Sequence, residues 1–130
     1  MSPSTRYTFK KNERLTHQPT IDQLFQTKGK RLISKPLSLI YRETKLRSDS
    51  PCQLLISVPK KKFKRAVHRN RIKRLIREAY RQEKHKIYAA VGESKQFALA
   101  IVYLTNEMPE LPIVKQAIGN LINDFSSRIS

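Results

Sequence analysis

Apolar residues fall along the chain in two kinds of pattern. From Leu37 to Arg42, from Leu54 to Val58 and from Phe97 to Leu104 they form short dense runs, as strands with a buried face do. Pro36 stands just before the first run and Pro59 just after the second, where a missing backbone N–H harms a ladder least. Arg31–Ile33 predicts a further short strand. The run from Phe97 is almost uninterrupted, which implies a strand covered on at least part of both faces. The polar stretch 44–51 predicts a loop closing a hairpin between the two strands that flank it.

Elsewhere the period lengthens to that of a helix. Ile72, Leu75, Ile76, Ala79 and Tyr80 form one stripe at i, i+3, i+4, i+7 and i+8. They predict a helix that begins near Ala66 or Val67 and frays beyond Lys84. Val114, Ala117, Ile118, Leu121, Ile122 and Phe125 make a second stripe over 113–125, with Gly119 its weakest point. A first helix is expected from Pro19 to Gln26, with Ile21, Leu24 and Phe25 on one side and Gly29 ending it. Residues 1–16 read as an irregular arm, and 60–65, 89–95 and 105–112 as loops or turns. The order of helix, strands, long helix, strand and helix defines a two-layer α/β sandwich, expected as one domain over 1–130. Its strand–helix–strand unit from Leu54 to Val102 predicts two parallel strands, by default with a right-handed crossover.

Charge sharpens this picture. The formal net charge is +17, far above what solubility asks of a small domain. Thirteen Lys and Arg between Lys60 and Lys86 face only Glu78 and Glu83. Asn70, Arg74, Arg77 and Arg81 lie opposite the apolar stripe of the long helix, stacked over successive turns. Arg74 and Glu78 form an expected i,i+4 pair. Guanidinium groups on successive turns fork onto phosphate oxygens, so the implied partner is a nucleic acid. No short helix and turn precede Val67, which favours RNA over a DNA major groove. Phe25, Tyr41 and Phe63 are candidate platforms for unstacked bases, with plain core packing as the alternative for each.

Catalytic chemistry is poorly represented. His17, His68 and His85 make no spaced metal set with the lone Cys52, and His68 suits a packing role in the first turn of the long helix. Three glycines leave no dinucleotide cradle, and the acids are too scattered for a two-metal site. No catalytic and no metal-ligating residue is therefore assigned. The single thiol fits a reducing compartment. The first residues lack the apolar core of a signal peptide, and no run of eighteen apolar residues is present. No membrane association and a cytoplasmic location are expected.

The stretch Ala66-Val67-His68-Arg69-Asn70-Arg71-Ile72-Lys73-Arg74-Leu75-Ile76-Arg77-Glu78-Ala79-Tyr80 resembles the signature of the bacterial ribonuclease P protein component. Ser57-Val58-Pro59-Lys60-Lys61 resembles that family's strand end and basic loop. Arg14-Leu15 resembles its N-terminal element, and Ile21 with Phe25 its first helix. The loop before Ala66 departs from the family: Phe63, Lys64 and Arg65 stand where a glycine is usual, and the loop is one residue longer.

The resemblance implies an α+β sandwich like the ribosomal protein S5 domain 2-like fold. That fold has a central four-stranded sheet, three helices and a left-handed βαβ crossover, which would overrule the default handedness. It further implies the protein subunit of a ribonucleoprotein whose RNA is the catalyst and removes the 5′ leader from precursor tRNA. Mg2+ would be used mainly by that RNA, and no obligate protein partner is implied. The RNA-binding residues would be Lys60, Lys61, Lys62, Arg65, Arg69, Asn70, Arg71, Lys73, Arg74, Arg77 and Arg81. A leader-binding cleft would comprise Ile21, Phe25, Tyr41, Ser57 and Lys61. The competing readings are a structural RNA-binding or ribosome-assembly protein without a role in cleavage, and an autonomous nuclease.

Overall fold

The apolar runs become four strands, β1 (Lys30–Ser34), β2 (Leu37–Glu43), β3 (Cys52–Ser57) and β4 (Phe97–Tyr103), in a computed structural model that describes residues 11–129. They form one sheet in the order β1-β2-β4-β3. β1 and β2 pair antiparallel, with Leu32 opposite Leu39. β2 pairs antiparallel with β4, Leu39 opposite Ile101, and β3 pairs parallel with β4, Leu54 opposite Leu99. The hairpin is therefore β1–β2, turning at Lys35 and Pro36, and not the expected one across 44–51. β4 sits between β2 and β3. Its central place follows from its composition: Phe97 through Ile101 are all buried, and only an interior strand covers both its faces.

Strand alternation divides the core in two. Leu39, Tyr41, Leu54, Phe97, Leu99 and Ile101 point to the face that carries the two long helices, α2 (Ala66–Val91) and α3 (Leu111–Ile129). There they meet Ile72, Ile76, Ala79 and Tyr80 of α2 and Val114, Ala117, Ile118, Leu121, Ile122 and Phe125 of α3. Both predicted stripes are thus buried apart from Leu75, which is half-buried. On the opposite face Ile40, Ala98 and Ala100 pack under Leu15, Leu24 and Leu46, with Ile21, Leu55 and Val102 at the margin.

α2 runs about two further turns beyond the predicted fraying point, to Val91. Lys84, Ile87 and Val91 are buried there, so tertiary contacts hold a segment that lacks strong periodicity. Gly92, at φ 76°, ends the helix, and its N–H donates to the Tyr88 carbonyl at 3.2 Å. That left-handed turn takes a residue without Cβ.

The first helix, α1 (Gln18–Gln23), passes into a π-type turn over Leu24–Lys28. Gly29 follows in extended conformation, φ −85° and ψ 145°, so it is not a left-handed cap. Its lack of a side chain serves close approach instead. A Cβ there would stand 2.4 Å from the Leu24 carbonyl oxygen and 2.7 Å from Ile40 Cγ2.

Of the expected irregular arm, residues 1–10 lie outside the described residues. Residues 11–16 are tied to the sheet. Lys11–Glu13 form a 3-10 turn, Arg14 bridges to Leu54 in parallel, and the Leu15 N–H donates to the Leu54 carbonyl at 3.0 Å. Leu15 is only 2% exposed.

Candidate nucleic-acid interface

Charge along α2 is compensated at one end only. Toward its C-terminus each acid has taken a cation. Arg81 forks onto Glu78, with Nε to Oε1 at 3.0 Å and Nη2 to Oε2 at 2.5 Å, and Lys86 reaches Glu83 at 2.9 Å. Gln82 also donates to Glu78. These hydrogen bonds from Arg81, together with its charge, lower the Glu78 pKa below the usual carboxylate range. Glu78 is therefore the partner of Arg81, not of Arg74. The partner lies about two turns further along the helix than expected, because the i+3 arginine reaches both oxygens at once.

The N-terminal half has no such compensation. Lys60, Lys61, Lys62, Lys64, Arg65, Arg69, Arg71, Lys73, Arg74 and Arg77 form no ion pair among the described residues. The first turn of α2 contains no acid, and Arg65 at the N-cap makes no side-chain cap. These cations crowd the end of the helix whose unpaired N–H groups already carry about half a positive charge. An anion lodged there would relieve both repulsions.

Most of these side chains are open to solvent. Lys60, Lys61, Lys62, Arg65, Asn70, Arg71 and Arg74 are exposed, and Lys73 and Arg77 half-buried. Arg69 is also half-buried and turns back on the loop, its Nη1 donating to the Phe63 and Lys64 carbonyls at 2.8 Å each. It therefore fixes the path of the basic loop against the helix. Phe63 anchors that loop from within: it is 8% exposed and lies 5.8 Å from the Tyr103 ring. That makes Phe63 core and not a stacking platform. His68 is exposed and takes no packing role.

Arg14 joins this surface. Burial, and then the like charges of Arg14 and Arg74, lower the Arg77 pKa from its ordinary value. What holds Arg14 in place is a buried network that the sequence reading missed. Lys84 Nζ donates to both Glu13 oxygens at 2.8 Å, and the Tyr88 hydroxyl donates a short hydrogen bond to Glu13 Oε2. Ser50 Oγ lies 3.4 Å from the Tyr88 hydroxyl and donates to the Cys52 carbonyl at 2.7 Å. Burial and the Glu13 carboxylate push the Tyr88 phenol far above its usual value. A signal was present: Lys84 lies four residues after Tyr80 on the buried stripe, where a lysine requires a carboxylate, and Glu13 is the lone acid of the first 21 residues.

The five residues expected to form a cleft do not share one face. Ile21 is half-buried against the second core cluster, Phe25 is 42% exposed, Ser57 is half-buried and Lys61 exposed. Ser57 alternates with Leu55 and so belongs to the sheet face beneath α1. Tyr41 lies on the other face. It is 5% exposed, with its ring edge-on to Phe125 at 5.0 Å between centroids. Its neighbour Ile40 takes the position beneath α1. A one-residue difference in register moves a side chain to the opposite side of a sheet, and Tyr41 is withdrawn from the cleft.

Among the described residues no group of three or more His, Cys, Asp and Glu could hold a metal ion, and no helix is long and apolar enough to cross a membrane. Cys52 is fully buried, and burial pushes its thiol up to about 12.

A two-layer α+β sandwich that presents one uncompensated cationic helix end belongs to the class of small polyanion-docking proteins. The comparisons specify which. The ribonuclease P family model matches residues 9–123. The ribonuclease P protein component of Porphyromonas gingivalis is 37% identical over 118 residues, spanning 90% of this chain and 85% of the relative. That of Chlorobium phaeobacteroides is 33% identical over 127 residues, spanning 89% and 86%. Among solved structures, the fold is shared with the RNase P protein of Thermotoga maritima (TM-score 0.68, 24% identity, 86% of this chain and 96% of that one) and of Staphylococcus aureus (0.70, 20%, 92% and 98%). The chain belongs to the ribonuclease P family, as the protein subunit of that RNA-based endoribonuclease, and its RNA partner is the RNA of that enzyme. This rules out the reading as an assembly factor.

Proposed function

We propose that the N-terminal half of α2 and the basic loop before it dock the subunit on the catalytic RNA, while the sheet face beneath α1 receives the 5′ leader of precursor tRNA. The observation that carries this reading is the set of ten cations from Lys60 to Arg77 without an ion pair, gathered at the positive end of the α2 dipole. Phosphates there would neutralise the protein and lower repulsion between two RNA polyanions, with counterion release driving association. Contacts to the backbone carry little sequence information, so the effect would extend across many precursors. Phe25, exposed on the π-type turn, offers a ring for an unpaired base. Ile21, Ser57 and Lys61 extend that surface. Magnesium in this reading belongs to the RNA, since the described protein residues assemble no donor set for it. A buried, unreactive single thiol is consistent with a cytoplasmic location.

The test is single-turnover cleavage by a matching catalytic RNA, with precursor tRNAs carrying either a long or a one-nucleotide leader. Arg74→Ala should weaken holoenzyme assembly whatever the leader. Phe25→Ala should weaken binding of the long leader by about 1–3 kcal/mol, the worth of one stacked base, and hardly affect the short one. Equal losses for both leaders from Phe25→Ala would remove the sheet face as the leader site and leave the docking assignment standing.

A further inference from the structure

Tyr41, displaced from the leader face, lines a second cationic pocket. The pocket has a volume of about 260 Å³ and is walled by Tyr41 and Phe97, with Lys30, Arg42, Lys95 and Arg128 around it and Glu43 as the one acid. Arg42 alternates with Tyr41 and turns its guanidinium to Gln23 of α1, so Lys30, Lys95 and Arg128 against Glu43 leave two positive charges in excess. Carbonyls at the C-terminal end of α3 oppose an anion by about half a charge, which that excess outweighs.

Tyr41 supplies an independent indication. Its ring is locked by Phe125 at 5.0 Å and Phe97 at 6.3 Å. It is 95% buried, yet no hydrogen bond is made by its hydroxyl among the described residues. The hydroxyl oxygen itself is not among the buried side-chain atoms without a partner, which among the described residues are those of Ser38 and Ser126, so it keeps access to solvent at the pocket. It is a donor on the pocket wall with no protein acceptor, in a lining that also includes Lys30, Lys95 and Arg128.

We propose that this pocket binds a phosphate group of an RNA strand, giving the subunit a second RNA contact at the end of the sheet remote from the basic loop. The register fixes that separation. The pocket lies at the Phe97 end of β4, opposite Glu43. The basic loop follows Ser57, which pairs with Val102 at the other end. The seven residues of β4 span roughly 20 Å. The two contacts thus stand on the ends of one rigid strand, and a single RNA element cannot satisfy both by sliding.

The test is NMR of the isotopically labelled full-length chain, titrated separately with oligouridylate and with inorganic phosphate. Oligouridylate should shift the Tyr41 ring and the Lys30, Lys95 and Arg128 resonances, at concentrations at least tenfold below those needed for inorganic phosphate. Tyr41→Phe keeps the ring packed and should abolish most of that response, as should the exposed pair Lys30→Gln with Arg128→Gln. Shifts near Arg74 should persist in both variants. Lys45→Gln, an exposed cation just outside the pocket, should change nothing. An equal loss from Lys45→Gln would show diffuse charge and overturn the site. Binding of inorganic phosphate without oligouridylate would assign it to a free anion and overturn the RNA source. No shift with either probe would overturn it outright.

Discussion

Replacing Glu13 with alanine removes the carboxylate that neutralises Lys84. The two side chains are 6% and 11% exposed and the contact is 2.8 Å, so the ammonium left behind has little access to water. The Tyr88 hydroxyl loses its acceptor in the same step. Breaking a buried pair from one side costs about 3–5 kcal/mol. For a chain of this size each kcal/mol lowers the melting temperature by roughly 4 °C, so a fall of about 12–20 °C is expected, read by calorimetry or circular dichroism. The double variant Glu13→Leu with Lys84→Met separates charge from packing. Apolar groups of similar volume can replace a buried pair at little cost, so the double variant should melt well above the single one. Below its melting point Glu13→Ala should still bind RNA more weakly than the parent, because Arg14 loses its anchor. A stability loss under about 1 kcal/mol in the single variant would refute the docking of residues 11–15. A double variant no more stable than the single one would show that charge burial is not the cause.

Three further outcomes follow from the same geometry. Arg74→Ala and Arg77→Ala should each reduce the slope of log affinity against log salt by about one phosphate contact, with Arg74→Ala changing stability by no more than about 0.5 kcal/mol; filter binding across a salt series with parallel melts checks both. Gly29→Ala should destabilise by about 1–3 kcal/mol through overpacking against Leu24 and Ile40, measured by urea unfolding. Cys52, with its thiol raised to about 12, should resist iodoacetamide at pH 8 until the chain unfolds. Its contribution to stability should also fall between about pH 9 and 12, since there the unfolded thiol has lost the proton that the folded one keeps.

Much of the fold was legible because the periods were unambiguous. The α3 stripe from Val114 to Phe125 and the doubly covered run from Phe97 are signals that few alternatives fit. Strand order was harder. Nothing in 44–51 distinguishes a hairpin from a loop that lets a later strand insert, and only the greater apolarity of β4 decides it. Tyr41 shows the limit for site residues. Leu37–Tyr41 is apolar at every position but Ser38, so alternation does not say which side chains face α1. In α2 the basic face was plain from sequence, but the division between its paired and unpaired ends was not. That division depends on side-chain reach, on Arg81 outcompeting Arg74 for Glu78, and on a contact between residues 71 positions apart.

The lopsided compensation of α2 also bears on how the unassembled subunit fares. Its 26 residues make a rod roughly 39 Å long, secured at one end and self-repelling at the other. RNA docked there as proposed would cancel that repulsion only in the folded state. At a hundredfold excess over the dissociation constant, such binding adds about 2.7 kcal/mol to stability. Orphan copies would then open more often than assembled ones and be the first to meet proteases. In the proposed docking mode, the same arginines that would attach the protein to its RNA would thereby couple its lifetime to that RNA's abundance, a stoichiometric control that needs no separate regulator.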